Sequence, residues 1–459
     1  AVYNERIMGA AHVQNVVELA CRTALNRRCV SHVTIPVDVQ DQSIRDDERS
    51  QRNQPGHVSR VLSRSVLIPS DQDVRAAADL LNASRRIAIL AGRGALGCGD
   101  QLEQIADLLA APIVKALLGK ACVPDDSPYT TGGVGLLGTR PSEEAMRNCD
   151  CLLIAGSSFP YIEFYPKPGT VRAIQIDSDP TRIGLRCPVD VGLAGHCSIT
   201  LQALIPLLHR KQDRSFLERA QAGMREWWDN MNERASDMSR PMKPQVVAAE
   251  ISRRLPPNAI VTSDSGTITT WWARHIVARR GQMHSCSGNL ASMACGLPYA
   301  VAAQIAYPDR PVVAFVGDGG LTMLMGELAT CVKYKLPIRI IVIKNNTLGQ
   351  IKWEQMVFLG NPEYGCELQP IDFAAVARAF GASGFSIDDP QRCGSLLDEA
   401  MRAPGPVVVE AIVDPNLPPM PPSVKADQAL HFAESIARGT AGSAEILRSV
   451  LKERVRELV

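Results

Sequence analysis

The chain carries almost no surplus charge: 49 Lys and Arg stand against 48 Asp and Glu, a formal net charge of +1. That absence removes the electrostatic case for nucleic acid as a partner. Long apolar runs are missing too, since no stretch approaches the roughly 18 to 20 residues that a membrane-spanning helix needs. With 46% hydrophobic and 21% charged residues, the composition fits neither a membrane protein nor a disordered chain. The 13 cysteines form no C-x-x-C pair and are scattered. They are expected to be reduced, mostly buried thiols of a cytoplasmic protein, and no chemistry is assigned to them. The opening "AVYNERIMGAAHVQ" lacks a starting Met and an apolar signal segment, so no export is expected and the chain is expected to begin inside a domain. No repeat of about 20 to 50 residues and no low-complexity tract is visible.

At 459 residues the chain is too long for one ordinary core and predicts several domains. Residues 1–42 read as a helix, "HVQNVVELACRTALNRR", and a strand, "HVTIPVDV", one α/β unit that cannot form a core alone. The stretch "QDQSIRDDERSQRNQPGH", residues 40–57, has no apolar period, and residues 43–72 read as a linker. From 73 to 209 the strands "RIAIL", "APIVKAL", "CLLIAGSSF" and "RAIQIDSD" alternate with helices such as "DVRAAADLLNAS" and "DQLEQIADLLA". Residues 210–243 are polar, helical and end at proline, a connection. From 244 to 415 a second series follows, with strands "AIVTSDSG", "PVVAFVGDGG" and "PIRIIVIKNN" and the helix "TITTWWARHIVA". Residues 416–459 form a tail whose last segment, "SAEILRSVLKERVRELV", has Ser443 as N-cap and Ile446, Leu447, Val450, Leu451 and Val455 near one face. Short buried aliphatic strands alternating with helices predict parallel sheets covered on both faces, so the fold class is α/β with two complete doubly wound domains beside a partial third.

The stretch "VVAFVGDGGLTMLMGELATCVKYKLPIRIIVIKNN" places Gly317-Asp318-Gly319-Gly320 at the end of one strand and Asn345-Asn346 at the end of the next. Ligands of doubly wound sheets bind at such carboxyl ends, where glycines allow tight turns and helix N–H groups attract phosphate oxygens. Asp318 offers the hard carboxylate oxygen that Mg²⁺ prefers and Asn345 a neutral amide oxygen, a credible set for an ion that also contacts a diphosphate.

This G-D-G…N-N pattern resembles the signature of thiamine diphosphate enzymes. The resemblance implies that Asp318, Asn345 and the backbone carbonyl of Thr347 bind Mg²⁺, with Gly317, Gly319 and Gly320 at the diphosphate. "ASMACGLPYA" is similar to the segment whose bulky residue wedges under the thiamine, which falls on Met293, and "SDSGTITTWWARH" makes Gly266 and Thr267 candidates near the diphosphate. Within the family, "NNTLGQIKWEQ" resembles the pyruvate oxidase and quinone-reducing pyruvate dehydrogenase branch, which implies that Ile351 and Glu354 line the substrate, with Gln350 where some oxidases hold an aromatic residue. The central domain is similar to the FAD domain of that branch; Gly92, Arg93 and Gly94 would approach the adenosine part of FAD and Asp177 would hydrogen-bond it.

The activity so implied is oxidative decarboxylation of a 2-oxo acid, pyruvate by default, with electrons passed to O₂ or quinone. The alternatives are a carboligase or decarboxylase of the acetolactate synthase or glyoxylate carboligase kind, and a non-catalytic cofactor-binding subunit. Residues 1–42 resemble only the last third of the family's pyrimidine-binding domain, and no residue matches its activating glutamate, so turnover by this chain is expected to be impaired. The resemblance also implies a homodimer or homotetramer. For the last helix, Arg448, Lys452, Arg454 and Arg456 suggest peripheral membrane contact, while Glu445, Glu453 and Glu457 favour a helix packed on its own protein.

Overall fold

The computed structural model describes residues 1–43, 66–422 and 424–458, with side chains of the last helix as far as Leu451. The expected linker therefore lies mostly outside the described residues, as do the side chains of Lys452, Glu453, Arg454, Val455, Arg456 and Glu457. The chain divides into two compact units, 1–67 and 68–459.

The first unit is one βαβ element. Strand β1 (Tyr3–Arg6) pairs in parallel with β2 (Ser31–Thr34), and the helix Val13–Arg27 crosses between them. The strand expected over "HVTIPVDV" stops at Thr34 because Pro36 cannot donate to a ladder, and Val37–Gln40 turn helical instead. Among its described residues only Ile7, Ala10, Ala20 and Val39 are buried, while Met8, Leu25, Val30 and Val37 stay more than half exposed. Burial this sparse offsets little of the conformational entropy of ordering the described segment.

The second unit holds two six-stranded, all-parallel sheets. The central sheet comprises β3 (Ile87–Ala91), β4 (Ile113–Lys115), β5 (Thr130–Gly133), β6 (Cys151–Ala155), β7 (Arg172–Asp177) and β8 (Val191–Ala194), in the order β5-β4-β3-β6-β7-β8. The second comprises β9 (Ile260–Ser263), β10 (Met283–Ser285), β11 (Val312–Gly317), β12 (Arg339–Lys344), β13 (Ser383–Ile387) and β14 (Val407–Ile412), in the order β10-β9-β11-β12-β14-β13. Every residue of β3, β6 and β9 is buried, as strands covered on both faces require, and each buried aliphatic side chain contributes roughly 1.5 to 3 kcal/mol. The strand order reverses between β3 and β6 in the central sheet and between β9 and β11 in the other, the two places where a doubly wound sheet opens a crevice.

Helix boundaries follow local chemistry. The helix Asp71–Ala83 begins at Ser70, whose Oγ accepts the Asp73 N–H at 3.2 Å. The connection between the sheets is the long helix Ser215–Ala235. The helix expected after the GDGG turn comes in two pieces, Asp318–Leu324 and Glu327–Lys333, broken at Met325-Gly326, where glycine disfavours the helix. The last helix, Ser443–Leu458, buries Ile446 completely against Trp353 and Met356, so its first turns pack on this chain.

The segment following β4 joins the two sheets. Asp125 N–H donates to the Ala278 carbonyl at 2.7 Å, and the Ala278 N–H returns to Asp125 Oδ2 at 2.7 Å. Lys120 Nζ bridges Asp125 Oδ2 and the Ala273 carbonyl, both at 3.0 Å, while Lys115 pairs with Asp125 Oδ1. Burial alone would raise the Asp125 pKa, but Lys115 and Lys120 pull it well below the usual carboxylate range. In the same segment Leu118 lies against Gly288, ahead of Met293.

Candidate functional site

At the β9/β11 crevice, β11 delivers Asp318 to the sheet's carboxyl edge. The carboxylate is 6% exposed and fully engaged by backbone: Oδ1 accepts Gly319 N–H at 2.9 Å, and Oδ2 accepts Asn345 N–H at 3.1 Å and Asn346 N–H at 2.6 Å. Those last two donors lie at the end of β12, so Asp318 ties adjacent strand ends together. Burial raises its pKa, opposed by the same N–H groups.

Asn346 adopts φ 54°, a left-handed conformation that asparagine tolerates better than most residues. This bend lets Leu368 N–H reach the Asn346 carbonyl at 2.9 Å and Leu348 N–H the Cys366 carbonyl at 2.8 Å, with Thr347 bridging Glu367. The Thr347 carbonyl accepts Gly349 N–H at 2.9 Å and keeps a second lone pair. Asn345 Oδ1 accepts the Thr347 N–H at 3.2 Å. Among the described residues no group of three or more His, Cys, Asp or Glu side chains gathers as a metal cluster. This segment holds one carboxylate, one amide and one backbone carbonyl, oxygen donors of the hard kind that Mg²⁺ prefers.

Other expected residues join the same cluster. Gly266 has φ +117° and ψ −162°, a region essentially reserved for glycine, and it introduces the helix Thr267–His275. Thr267 Oγ1 would stand 2.9 Å from a Cβ placed on Gly349, and Asn345 Nδ2 3.4 Å from the same point. Met293 Cε lies 3.4 Å from the place of a Cβ on Gly319, with Leu348 Cδ2 at 2.9 Å and Leu368 Cδ1 at 3.1 Å. Met293, Gly319, Asn345, Thr267 and Asp318 are thus neighbours at three adjoining strand ends. The glycines of the GDGG turn also serve the protein itself, since protein atoms already fill the space beyond Gly319 and Gly320.

Sequence reasoning missed Asp264. It follows β9 as Asp318 follows β11, is 1% exposed, and accepts Gly296 N–H on Oδ1 at 2.7 Å, while Oδ2 has no hydrogen-bond partner. Burial raises its pKa to about 6, opposed by the Gly296 N–H. The signal was present in "IVTSDSG", a buried strand followed by Asp-x-Gly, the same grammar as the GDGG turn.

Ile351 and Glu354 lie on the helix Gly349–Phe358, directly after this loop. Ile351 is 46% exposed, and Glu354 Oε1 accepts from Gln350 Nε2 at 3.0 Å. Neither hydrogen-bonds to the strand-end cluster. The opposite face is fixed by Lys352, which pairs with Glu363 at 2.9 Å, and by buried Trp353 and Met356.

In the central sheet, Gly92 and Gly94 follow β3 at the crevice, but a Cβ on Gly92 would meet Ser157 Cβ at 2.5 Å and one on Gly94 would meet Gly156 Cα at 2.8 Å. Gly94 N–H donates to the Gly156 carbonyl at 2.9 Å. Packing of adjacent strand ends accounts for both glycines, and they give no separate sign of a pyrophosphate. Arg93 is exposed and forms no ion pair among the described residues; Asp177, at the end of β7, accepts Asp179 N–H on Oδ1 at 2.9 Å.

All 13 cysteines are free thiols, buried except for Cys21 and Cys29. No helix among the described residues is long and apolar enough to cross a membrane.

Comparison with known proteins bears on this geometry. Residues 264–411 match the family described as thiamine pyrophosphate enzyme, C-terminal TPP binding domain, and residues 74–204 match its central domain. The chain is 35% identical over 458 residues to YdaP of Bacillus subtilis, described as thiamine pyrophosphate-containing, covering 100% of this chain and 78% of that protein. It is 28% identical over 442 residues to a pyruvate oxidase of Lactiplantibacillus plantarum, covering 95% of this chain and 72% of the oxidase. It is also 28% identical over 344 residues to the large subunit of acetolactate synthase isozyme 3 of Escherichia coli, covering 72% of this chain and 59% of that subunit. The matched span begins at Asp264 and takes in Asp318, Asn345 and Thr347, and the chain belongs to the thiamine pyrophosphate enzyme family.

Proposed function

We propose that this chain holds thiamine diphosphate and Mg²⁺ at the ends of β9, β11 and β12 and serves the oxidative decarboxylation of a 2-oxo acid, with pyruvate the first candidate, in an enzyme that also binds FAD. The observation that carries the reading is Asp318, with both oxygens oriented by backbone N–H groups from two strand ends, including those of Asn345 and Asn346 just ahead of Thr347.

The donor set fits Mg²⁺, and buried Asp318 would regain a full charge partner on binding it. Asp318, Asn345 and the Thr347 carbonyl would hold the ion. Gly266 and Thr267, at the start of a helix, would face the diphosphate together with Gly317. Met293, held over Gly319, would support the thiazolium side. Ile351 would present an apolar surface to the substrate, and Glu354, held by Gln350, would orient or move a proton there. Bound thiamine diphosphate supplies a carbanion for the keto carbon and a sink for the electrons released with CO₂, and FAD supplies a two-electron acceptor. For FAD the fit is narrower, resting on Asp177 and exposed Arg93. Residues 1–42 are read as the end of a pyrimidine-binding domain, and a homodimer or homotetramer as the working assembly.

A second reading, a carboligase without net oxidation, draws on the equal identity to pyruvate oxidase and acetolactate synthase. The absorbance spectrum between about 350 and 500 nm, taken anaerobically before and after pyruvate, thiamine diphosphate and Mg²⁺, separates them. Flavin absorbance that bleaches with CO₂ release supports the oxidase. Acetolactate formed without net bleaching supports the carboligase, and a protein that binds thiamine diphosphate yet changes no 2-oxo acid, even joined to a complete pyrimidine domain, is a non-catalytic subunit.

A further inference from the structure

We propose that Asp264 is a positioning residue that clamps the Gly317–Gly320 turn to the loop carrying Met293. The inference rests on the reading of that turn as the diphosphate site.

Four observations carry it. Asp264 Oδ1 accepts the Gly296 N–H at 2.7 Å, which fastens the start of the helix Gly296–Ala306 to the end of β9. A Cβ on Gly320 would overlap Asp264 Oδ2, and Ala294 N lies 3.3 Å from that Cβ position. The carboxyl therefore occupies the seam between the turn and the loop, and Gly320 is glycine because Asp264 fills its side-chain space. The loop on the other side of the seam is strained, with Ala294 at φ 65°, a conformation an L-residue keeps only when its surroundings enforce it. Finally, Thr269 Oγ1 donates to the Asp264 backbone carbonyl at 2.7 Å, anchoring the clamp to the Thr267 helix. Moving Asp264 would free the turn and the loop to shift apart, and Met293 Cε would lose its seat 3.4 Å from the Cβ position of Gly319.

The test is calorimetric titration of the full chain with thiamine diphosphate and Mg²⁺. Asp264→Ala is expected to weaken binding by about 10- to 100-fold, the usual effect of removing a group that orients site residues. Asp264→Asn, which preserves shape and the Oδ1 acceptor, is expected to recover most of that loss. Gly320→Ala is expected to weaken binding as well, and adding Asp264→Ala to it is expected to restore affinity toward that of Asp264→Ala alone, because the clash is removed. Asp264→Ser takes the place of Asp264→Ala if the latter does not fold. Wild-type affinity in Asp264→Ala, or losses that simply multiply in the double variant, overturns the clamp while leaving the cofactor reading intact. No binding by the wild-type chain overturns both.

Discussion

Asp264 and Gly320 are fitted to each other: an orphaned carboxylate oxygen at the end of β9 occupies the space that any side chain on Gly320 would need. Gly319, one residue earlier, faces only flexible tips, Leu348 Cδ2 at 2.9 Å, Leu368 Cδ1 at 3.1 Å and Met293 Cε at 3.4 Å. The two glycines should therefore respond differently to the same methyl group. Gly320→Ala is predicted to destabilise by about 2 to 3 kcal/mol and Gly319→Ala by about 1 kcal/mol or less, since overpacking against a fixed group costs more than against movable ones. Urea unfolding at neutral pH measures both, and equal costs would mean that the Asp264 carboxyl moves aside freely.

Backbone strain supplies a second prediction. Ala294 sits at φ 65°, which costs an L-residue roughly 1 to 2 kcal/mol relative to the right-handed conformation. Ala294→Gly removes that strain but adds unfolded-state entropy of about 0.5 to 1 kcal/mol, so it should be neutral to mildly stabilising. Ala294→Val should be clearly destabilising. A midpoint comparison by thermal unfolding decides, and a stable valine variant would contradict the conformation described for this loop.

Much of this site was legible in the sequence because its chemistry sits at strand ends, where buried aliphatic runs stop at Gly, Asp and Asn. Asp318 and Asn345 are legible that way, whereas Thr347, Gly266, Thr267 and Met293 follow only from the resemblance to thiamine diphosphate enzymes. Asp264 was not read, although "TSDSG" carries the same pattern, because its role depends on Gly296 and Gly320, far off in sequence. Strands β1, β5, β8, β10, β13 and β14 are absent from the sequence reading; the first four have only three or four residues, too few to display a period, whereas β13 and β14 are longer and were simply passed over. The strap between 346–348 and 366–368 uses backbone alone and leaves no side-chain signature.

Acid should destabilise the protein. Burial lowers the pKa of His275 to about 3, with Arg274 adding to it, and burial likewise lowers that of His284 to about 3, with Lys120 adding to it. Both folded values lie below the unfolded one near 6.5, so the unfolded chain takes up these protons first. Their contribution is complete above about pH 6.5 and is lost as pH falls toward 3. Asp264 acts in the opposite sense: its folded value, raised to about 6, lies above the unfolded one, so its contribution is present at low pH and lost as pH rises through 6. Between pH 7.5 and 5.5 each histidine costs ~1.4 kcal/mol while Asp264 returns less than ~1 kcal/mol, leaving a net loss of about 2 kcal/mol. Urea midpoints at the two pH values check this, and His284→Gln should remove roughly half of the histidine part.

The contact between the two sheets depends on Asp125, whose carboxylate holds Lys115, Lys120 and the Ala278 N–H. Asp125→Asn leaves two buried ammonium groups without their counter-charge and is predicted to cost about 3 to 5 kcal/mol. Replacing Asp100, which is 88% exposed in its pair with Arg280, should cost less than about 1 kcal/mol. Denaturant unfolding of the two variants separates a buried ionic lock from a surface ion pair.

In the function proposed above, Asp318 organises a Mg²⁺-dependent diphosphate site at the ends of β11 and β12. Its most direct test is calorimetric titration of thiamine diphosphate into the wild-type chain and into Asp318→Asn, each with Mg²⁺ and with excess chelator. The wild-type chain is expected to bind only when Mg²⁺ is present, and the variant to lose about 100-fold or more in affinity. Binding that is indifferent to both Mg²⁺ and residue 318 would contradict it.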